Sequence, residues 1–565
     1  MRMRTFAAAK SMKLSMDTRL RTWCENNIST LADLYKYSVR EHASLKASVL
    51  LDDDTQNYTY AQMGEITDRL SAILSEYGVG AGDKVAILSQ NMPHWTAAYF
   101  SVTAYGRVVV PILAESSATE VGNILDHSGT VAVFVSKAKA ANVAQEYIDK
   151  MNVVIELDTL EIIAGRKAET PAATGVPAAD DLAGIFYTSG TTGRAKGVML
   201  SHRNLCQNVI AAWYAAPFVP SDCWLSILPM AHTYEMAFDM LYPFCIGSAV
   251  HYLKKAPTTS VLTAALAQVR PQVICSVPLI IDKIYRSSVR KTIEKSRVLS
   301  RMERIAPSLL YRIIGKKLLK FFGGNLKFFG IGGAKLDPVI EAFLIKARFP
   351  YAIGYGLTET APLITYTKVF KGRCGTIGTH AHNVQVRLGD VDPETGNGEI
   401  QCKGPNVMLG YYKDPERTAS VFTNDGWFRT GDLASRDKKG YYSIRGRIGT
   451  MIVGPSGENI YPEEIESVIN NLSGVNESLV VNRDGKLVAL VKFDESVIDW
   501  NQENEDRFFK MIEDKKNEIM AFVNKNVRKS NNINEVEIVK QPFAKTATMK
   551  IRRFLYQKTQ KKDEK

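Results

Sequence analysis

Residues 187–202 read YTSGTTGRAKGVMLSH, and no other stretch restricts the chain so tightly. An apolar run, Ala183-Gly184-Ile185-Phe186-Tyr187, reads as a buried strand. It leads into Thr188-Ser189-Gly190-Thr191-Thr192-Gly193-Arg194-Ala195-Lys196-Gly197, which reads as a loop. Glycines let a backbone approach a ligand closely. Successive backbone N–H groups in such a turn make an anion-binding concavity, and hydroxyls add donors. Lys196 supplies a mobile point charge for a phosphate oxygen. The ligand implied is a polyphosphate. A Walker A loop is excluded, because Ala195 precedes the lysine and Gly197 follows it. A plain flexible surface loop fits poorly a segment joined directly to a buried strand, with cations at fixed places.

The stretch resembles the signature [YF]-T-S-G-[ST]-T-G-x-x-K-G of the AMP-forming acyl and aryl ligases. That family includes acyl-CoA synthetases, adenylation domains and luciferases. The remaining motifs follow in the order such a ligase requires. Phe328-Phe329-Gly330-Ile331-Gly332-Gly333-Ala334 resembles the family's G-G-A element, which implies that Gly333 and Ala334 lie along an adenine. In Tyr351-Ala352-Ile353-Gly354-Tyr355-Gly356-Leu357-Thr358-Glu359-Thr360, Tyr355 offers a face for adenine and Thr358 a hydrogen bond for the α-phosphate. Glu359 suits Mg²⁺ shared with phosphates, and the resemblance adds Thr188 to that metal site. Gly356 stands where acetate-activating members carry a tryptophan, which implies an open acyl pocket. His232, in Leu228-Pro229-Met230-Ala231-His232, is assigned to the substrate carboxylate by the same resemblance; a packed loop histidine is the plain alternative.

Further along, Gly426-Trp427-Phe428-Arg429-Thr430-Gly431-Asp432 matches G-W-[FL]-x-T-G-D, which assigns Asp432 to the ribose hydroxyls. Arg447 is assigned to ribose as well. Gly449 takes the place of a hinge residue, where the family usually has Lys or Asp. Residues 454–466 match G-x-N-[IV]-x-P-x-E-[IV]-E, which implies a thioester-site loop containing Gly457, Asn459 and Pro462. Near the end, Pro542 to Arg553 resembles P-x-T-x-x-G-K-I-x-R, with Ala544 and Met549 as departures. It places Lys550 at the catalytic lysine. The phosphate-binding set is then Thr188, Ser189, Gly190, Thr191, Thr192, Gly193 and Lys196.

A chain of 565 residues exceeds one hydrophobic core. Runs such as Val85-Ala86-Ile87-Leu88 and Val108-Val109-Val110-Pro111, separated by helical patterns, imply parallel strands with helices over them. The expected fold is α/β: a large N-terminal domain of helix-covered sheets over 28–445, and a small mobile α+β C-terminal domain over 446–565. Residues 1–27 form an extension. Residues 1–16 are basic and free of acids, and lack the apolar core of a secretory signal. They read as a ragged terminus, although a mitochondrial presequence has a similar composition. Seven scattered cysteines without C-x-x-C point to a reducing compartment rather than a disulfide framework. No apolar run reaches the length of a spanning helix.

The net charge of +12 is concentrated. Residues 283–327 hold thirteen Lys/Arg against two Glu, so the rest of the chain is nearly neutral. Apolar residues interleave with these cations, as in amphipathic helices with a cationic face. Such a face suits an anionic membrane; a solvated helix face is the plain alternative. Nucleic acid is not expected, because aromatics for base stacking are few. The resemblance implies ATP, Mg²⁺ and CoA, and a reaction from fatty acid through acyl-AMP to acyl-CoA. A long-chain acid is expected, in the cytoplasm or on the inner face of a membrane. A medium-chain or aryl acid, an acyl carrier protein as acceptor, and a homodimer stay open. From another class, a non-catalytic lipid-binding scaffold is disfavoured, since Lys196, Glu359, Asp432 and Lys550 are all present.

Overall fold

The computed structural model describes residues 20–189, 195–454, 459–494, 497, 498, 500, 505–545 and 551–557. Residues 1–16 and the assigned residues Gly190, Thr191, Thr192, Gly193, Gly457 and Lys550 lie outside the described residues. By its internal contacts the chain divides into two units. The first takes residues 1–387, 401–429 and 438–442; the second takes 388–400, 430–437 and 443–565.

Two mixed sheets build the first unit. One orders Gly410–Tyr411, Ala195–Ser201, Leu182–Ser189, Val108–Ile112, Lys84–Leu88, Thr130–Val135, Val153–Glu156 and Ile162–Gly165. Its central strands are parallel and buried on both faces, which is why they read as unbroken apolar runs. The other orders Thr379–His380, Leu363–Tyr366, Tyr351–Gly356, Phe328–Ile331, Val273–Ser276, Cys223–Ser226, Ala249–Tyr252, Lys46–Leu50 and Asn57–Thr59. Buried Trp95, Tyr99, Trp213 and Trp224 belong to one continuous core that also takes in Val85, Phe134 and Phe186.

Capping sets the helix starts. Thr59 accepts from Gln62 N and opens Tyr60–Glu76. Ser201 accepts from Asn204 N and opens His202–Ala215. The basic region is helical as expected, in Lys291–Lys295, Arg297–Ile305 and Pro307–Phe321, with a π-helical turn at Tyr285–Arg290. No helix among the described residues is long and apolar enough to cross a membrane. All seven cysteines are free thiols.

The second unit contains a three-stranded sheet. Val475–Arg483 pairs antiparallel with Lys486–Phe493, which pairs parallel with Glu535–Ile538. Helices Pro462–Ile469 and Glu505–Asn526 cover it, and Ile465, Ile469, Ile519 and Val523 fill the core.

Candidate active site

The sequence expects a loop from Thr188 to Gly197; strands take up both of its ends instead, through Ser189 and from Ala195. Strand Leu182–Ser189 turns back as Ala195–Ser201, with Thr188 opposite Lys196 and Tyr187 opposite Gly197. The glycine at 197 serves strand packing, since a Cβ there would stand 2.8 Å from Ile185 Cγ2. Thr188 and Lys196 are therefore held by a ladder, which fixes them better than a glycine loop could.

Lys196 Nζ donates to Glu359 Oε1 at 2.6 Å and to the Tyr411 hydroxyl at 3.0 Å. The Tyr411 hydroxyl donates to the same carboxylate oxygen at 2.9 Å. The ammonium also sits 4.6 Å from the Tyr411 ring centre, a cation–π distance. Glu359 lies in the turn Thr358–Thr360, directly after strand Tyr351–Gly356, and is 7% exposed. Tyr411 is placed by pairing with Val198. Burial pushes the Glu359 carboxyl up, but the Lys196 charge and the bonds from Lys196 and Tyr411 outweigh it. The group is held below its ordinary value and ionised. Tyr411 is a site residue that the motifs do not reveal; only the pairing of its short strand brings it here.

These residues fit Mg²⁺. The Thr188 hydroxyl oxygen is buried and has no hydrogen-bond partner, which leaves a hard oxygen uncommitted. Glu359 offers an ionised one. Among the described residues no group of three or more His, Cys, Asp or Glu gathers around a metal position. A magnesium ion shared with phosphates needs only one or two protein oxygens.

Beyond Gly356 the chain encloses an apolar cavity of about 540 Å³, counting its open mouth. Trp224, Phe218 and Phe328 line it, along with Tyr234, Phe238 and Ala212, Ala215 and Ala216 of helix His202–Ala215 and the residue after it. Gly330 and Gly354 line it too, whereas Gly356 does not. A Cβ at Gly356 would meet Pro362 O at 1.7 Å. The pairing of strands Tyr351–Gly356 and Leu363–Tyr366 slips between Tyr355 and Gly356, which re-aims residue 356 toward main chain. Glycines 330 and 354 leave space on this wall of the cavity.

His232 caps the short turn Thr233–Glu235, its Nδ1 accepting from Tyr234 N at 3.1 Å. Tyr355 and Thr358 are half-buried, and Gly333 takes a φ of +81° beside exposed Ala334. That left-handed turn needs glycine.

In the second unit Asp432, 5% exposed, pairs with Arg447 Nε at 2.6 Å. The two residues assigned to ribose therefore form one charged group. Gly449 lies in the turn Ile448–Thr450, where a Cβ would meet nothing. Asn459 is exposed in strand Asn459–Ile460, and Pro462 opens the following helix. Lys545 and Ile551 bridge antiparallel. Arg553 clamps Glu466 through two bonds, at 2.7 and 2.6 Å, and so ties the segment after Lys550 to helix Pro462–Ile469.

Known proteins resemble the chain over most of its length. The chain is 29% identical over 530 residues to long chain acyl-CoA synthetase 7, peroxisomal, of Arabidopsis thaliana, covering 84% of this chain and 75% of that protein. It is 27% identical to long-chain-fatty-acid–[acyl-carrier-protein] ligase AEE15, chloroplastic, of the same plant, covering 96% of this chain and 87% of that protein. Among solved structures, the ATP-bound RpMatB-BxBclM chimera B1 superposes with a TM-score of 0.73 at 25% identity, covering 93% of this chain and 98% of that one. Residues 37–412 match the AMP-binding enzyme family, and with two thirds of its length inside that match the chain belongs to it.

Proposed function

We propose that the enzyme activates a long-chain fatty acid with ATP and then transfers the acyl group to CoA. The class, an AMP-forming acid–CoA ligase, follows from the family. The apolar cavity lined by Trp224, Phe238 and Gly354 carries the long-chain assignment, since its lining is almost wholly apolar and its mouth is open.

A carboxylate is a poor acyl donor, and a mixed anhydride with AMP supplies a good leaving group. The carboxylate attacks the α-phosphorus in line and pyrophosphate leaves. Positioning and charge neutralisation do most of the work. Lys196 neutralises β,γ-phosphate oxygens from a strand that cannot swing away. Thr188 and Glu359 would hold Mg²⁺, which offsets phosphate charge when bound. Tyr355 stacks on adenine along Gly333 and Ala334, Thr358 bonds the α-phosphate, and Asp432 with Arg447 holds the ribose. Lys550 bridges the attacking carboxylate and the α-phosphate. His232 orients that carboxylate. With Gly449 as hinge, the loop containing Gly457, Asn459 and Pro462 then serves the thioester step. Relatives named for both CoA and acyl carrier protein support a carrier protein as the second reading of the acceptor.

The test is thioester formation with ATP, Mg²⁺ and CoA across saturated acids from acetate to stearate, with benzoate and coumarate beside them. A maximum at long alkyl chains is the expected result. A maximum at aryl or short acids discards the fatty-acid assignment. Acyl-AMP without thioester transfers the acceptor to a carrier protein.

The membrane is the partner assigned to the basic helices. Val298, Ile305, Leu309 and Ile313 are 76, 73, 56 and 44% exposed there. Arg301, Arg304, Arg312 and Lys316 stand exposed among them. Apolar side chains that face water beside unburied cations suit an anionic bilayer, where each cation adds about 1 kcal/mol. This reading has the enzyme work at the inner face of a membrane, in a reducing compartment. Reversing those four cations to Glu should release the enzyme from vesicles containing phosphatidylserine while thioester formation from soluble acids continues. Sedimentation with vesicles unchanged by the four reversals would end the assignment.

A further inference from the structure

Lys196, Glu359 and Tyr411 reach the site on three segments far apart in the chain, and three buried asparagines join those segments to one another. Lys196 stands on strand Ala195–Ser201, which runs straight into helix His202–Ala215. Glu359 stands in the turn Thr358–Thr360, which leads into strand Leu363–Tyr366. Tyr411 stands on strand Gly410–Tyr411, just after residues 405–409. Asn204, Asn208 and Asn406 are 4, 1 and 1% exposed. An amide taken out of water must find its partners inside the protein, and these three find them on the same three segments.

Asn204 ties the first segment to the third. Its Nδ2 donates to the carbonyls of Pro405 and Val407 at 2.8 and 2.9 Å, while its Oδ1 accepts from Ser201 N at 2.8 Å. Asn208, one helical turn on, ties the first segment to the second. Its Nδ2 donates to Thr360 O at 3.2 Å and to Asn204 O at 3.0 Å, and its Oδ1 accepts from Leu363 N at 2.8 Å. Asn406 ties the third segment to the second, its Nδ2 donating to Thr360 O at 3.3 Å and to Leu363 O at 2.8 Å. Its Oδ1 has no partner, so this side chain is held by its donors. Met408 N holds Glu359 itself by the carbonyl at 2.9 Å. The asparagines hold the two residues that bracket the bend after it, Thr360 and Leu363.

We infer that Asn204, Asn208 and Asn406 are positioning residues for the phosphate site: each forms one side of a closed triangle of buried amides that sets Glu359 and Tyr411 within reach of the Lys196 ammonium. All the side-chain bonds given above go to main chain, so the amides act through the backbone and not on the ligand. A buried polar network whose members hold one another rigidifies the segments it joins. That matters here because a misplacement of about 1 Å, caused away from the chemistry, costs up to about 10²-fold in rate.

The inference rests on the Lys196–Glu359 pair as the phosphate site. The experiment compares the full-length wild type with Asn406→Ala and with Asn208→Ser, whose shorter side chain gives up the reach to Leu363. It reads the Kd for ATP by titration calorimetry with Mg²⁺ present, KM for ATP, KM for the acid, and Tm. Each variant should raise the ATP Kd and KM about tenfold and leave the acid KM unchanged. A lower Tm with an unchanged ATP Kd is the result of a purely structural role and overturns the inference. Asn406→Ala is then combined with Glu359→Gln. If the asparagine works through Glu359, it should add less than about twofold to the ATP Kd of the Gln variant; a full tenfold addition overturns the inference. Should Asn406→Ala not fold, Asn208→Ser decides in the same cycle. Glu359→Gln alone separates the two readings. If it binds ATP as the wild type does, the phosphate-site reading fails. If it weakens ATP while both asparagine variants bind as the wild type does, the triangle alone fails.

Discussion

Glu359→Gln should cut pyrophosphate release by about 10²–10³ for every acid tested, the scale of losing one preorganised electrostatic group. The amide keeps the size of the side chain and its contact with Tyr411. What it loses is the charge that holds Lys196 at 2.6 Å and a hard oxygen suited to Mg²⁺. Both losses bear on the triphosphate, so the effect should be blind to acyl chain length. Lys196 is left with its side chain only 23% exposed and no counter-charge. Removing one partner of a buried pair costs up to about 3–5 kcal/mol, and a lower Tm should accompany the lost rate. Because the Glu359 carboxyl is held below its ordinary value, its stabilising contribution is present at neutral pH and is lost only as pH falls through that depressed value. The wild-type rate should therefore show no titration of this group between about pH 6 and 8. A Gln variant with the wild-type rate would remove Glu359 from the phosphate site, whatever its Tm. A rate restored by excess Mg²⁺ would place the loss at the metal instead of at Lys196.

Much of this site can be read from the sequence, for a physical reason. Phosphate chemistry demands particular residue types at short spacing, and those survive as contiguous motifs around Lys196, Glu359 and Asp432. What cannot be read is pairing across the chain. The Lys196–Glu359 contact joins residues 163 apart, and Tyr411 arrives through a two-residue strand. Gly197 misleads as a loop signal, because it lets strands approach rather than making a turn. The basic run shows the opposite case. Its helical period is plain in the sequence, yet the exposure of Ile305 and Leu309 depends on what packs over them.

Gly354→Trp should remove long acids as substrates and spare short ones, while Gly356→Trp should damage the protein for all of them. The two glycines are two residues apart on one strand, and alternation alone would give them the same face. The slip in pairing after Tyr355 separates them. At Gly354 a new Cβ would meet only Leu363 Cδ1, at 3.5 Å, an ordinary contact. Since Gly354 lines the cavity, an indole there takes up space meant for the alkyl chain. Excluding about four methylenes at about 0.8 kcal/mol each forfeits about 3 kcal/mol, or about 200-fold in kcat/KM for the longest acids. Acetate and propionate need none of that space, and ATP binding should not change. At Gly356 the Cβ itself would stand 1.7 Å from Pro362 O, so the main chain must move before any ring is placed. Overpacking of this kind costs about 1–3 kcal/mol or more. It does so directly beside Thr358 and Glu359, so activity should fall with every acid and Tm with it. The comparison of the two variants across one acid series is therefore decisive. A Gly356→Trp protein that folds normally and turns to short acids would restore to residue 356 the role that its sequence position suggests. A Gly354→Trp protein that still prefers long acids would mean that the alkyl chain lies elsewhere.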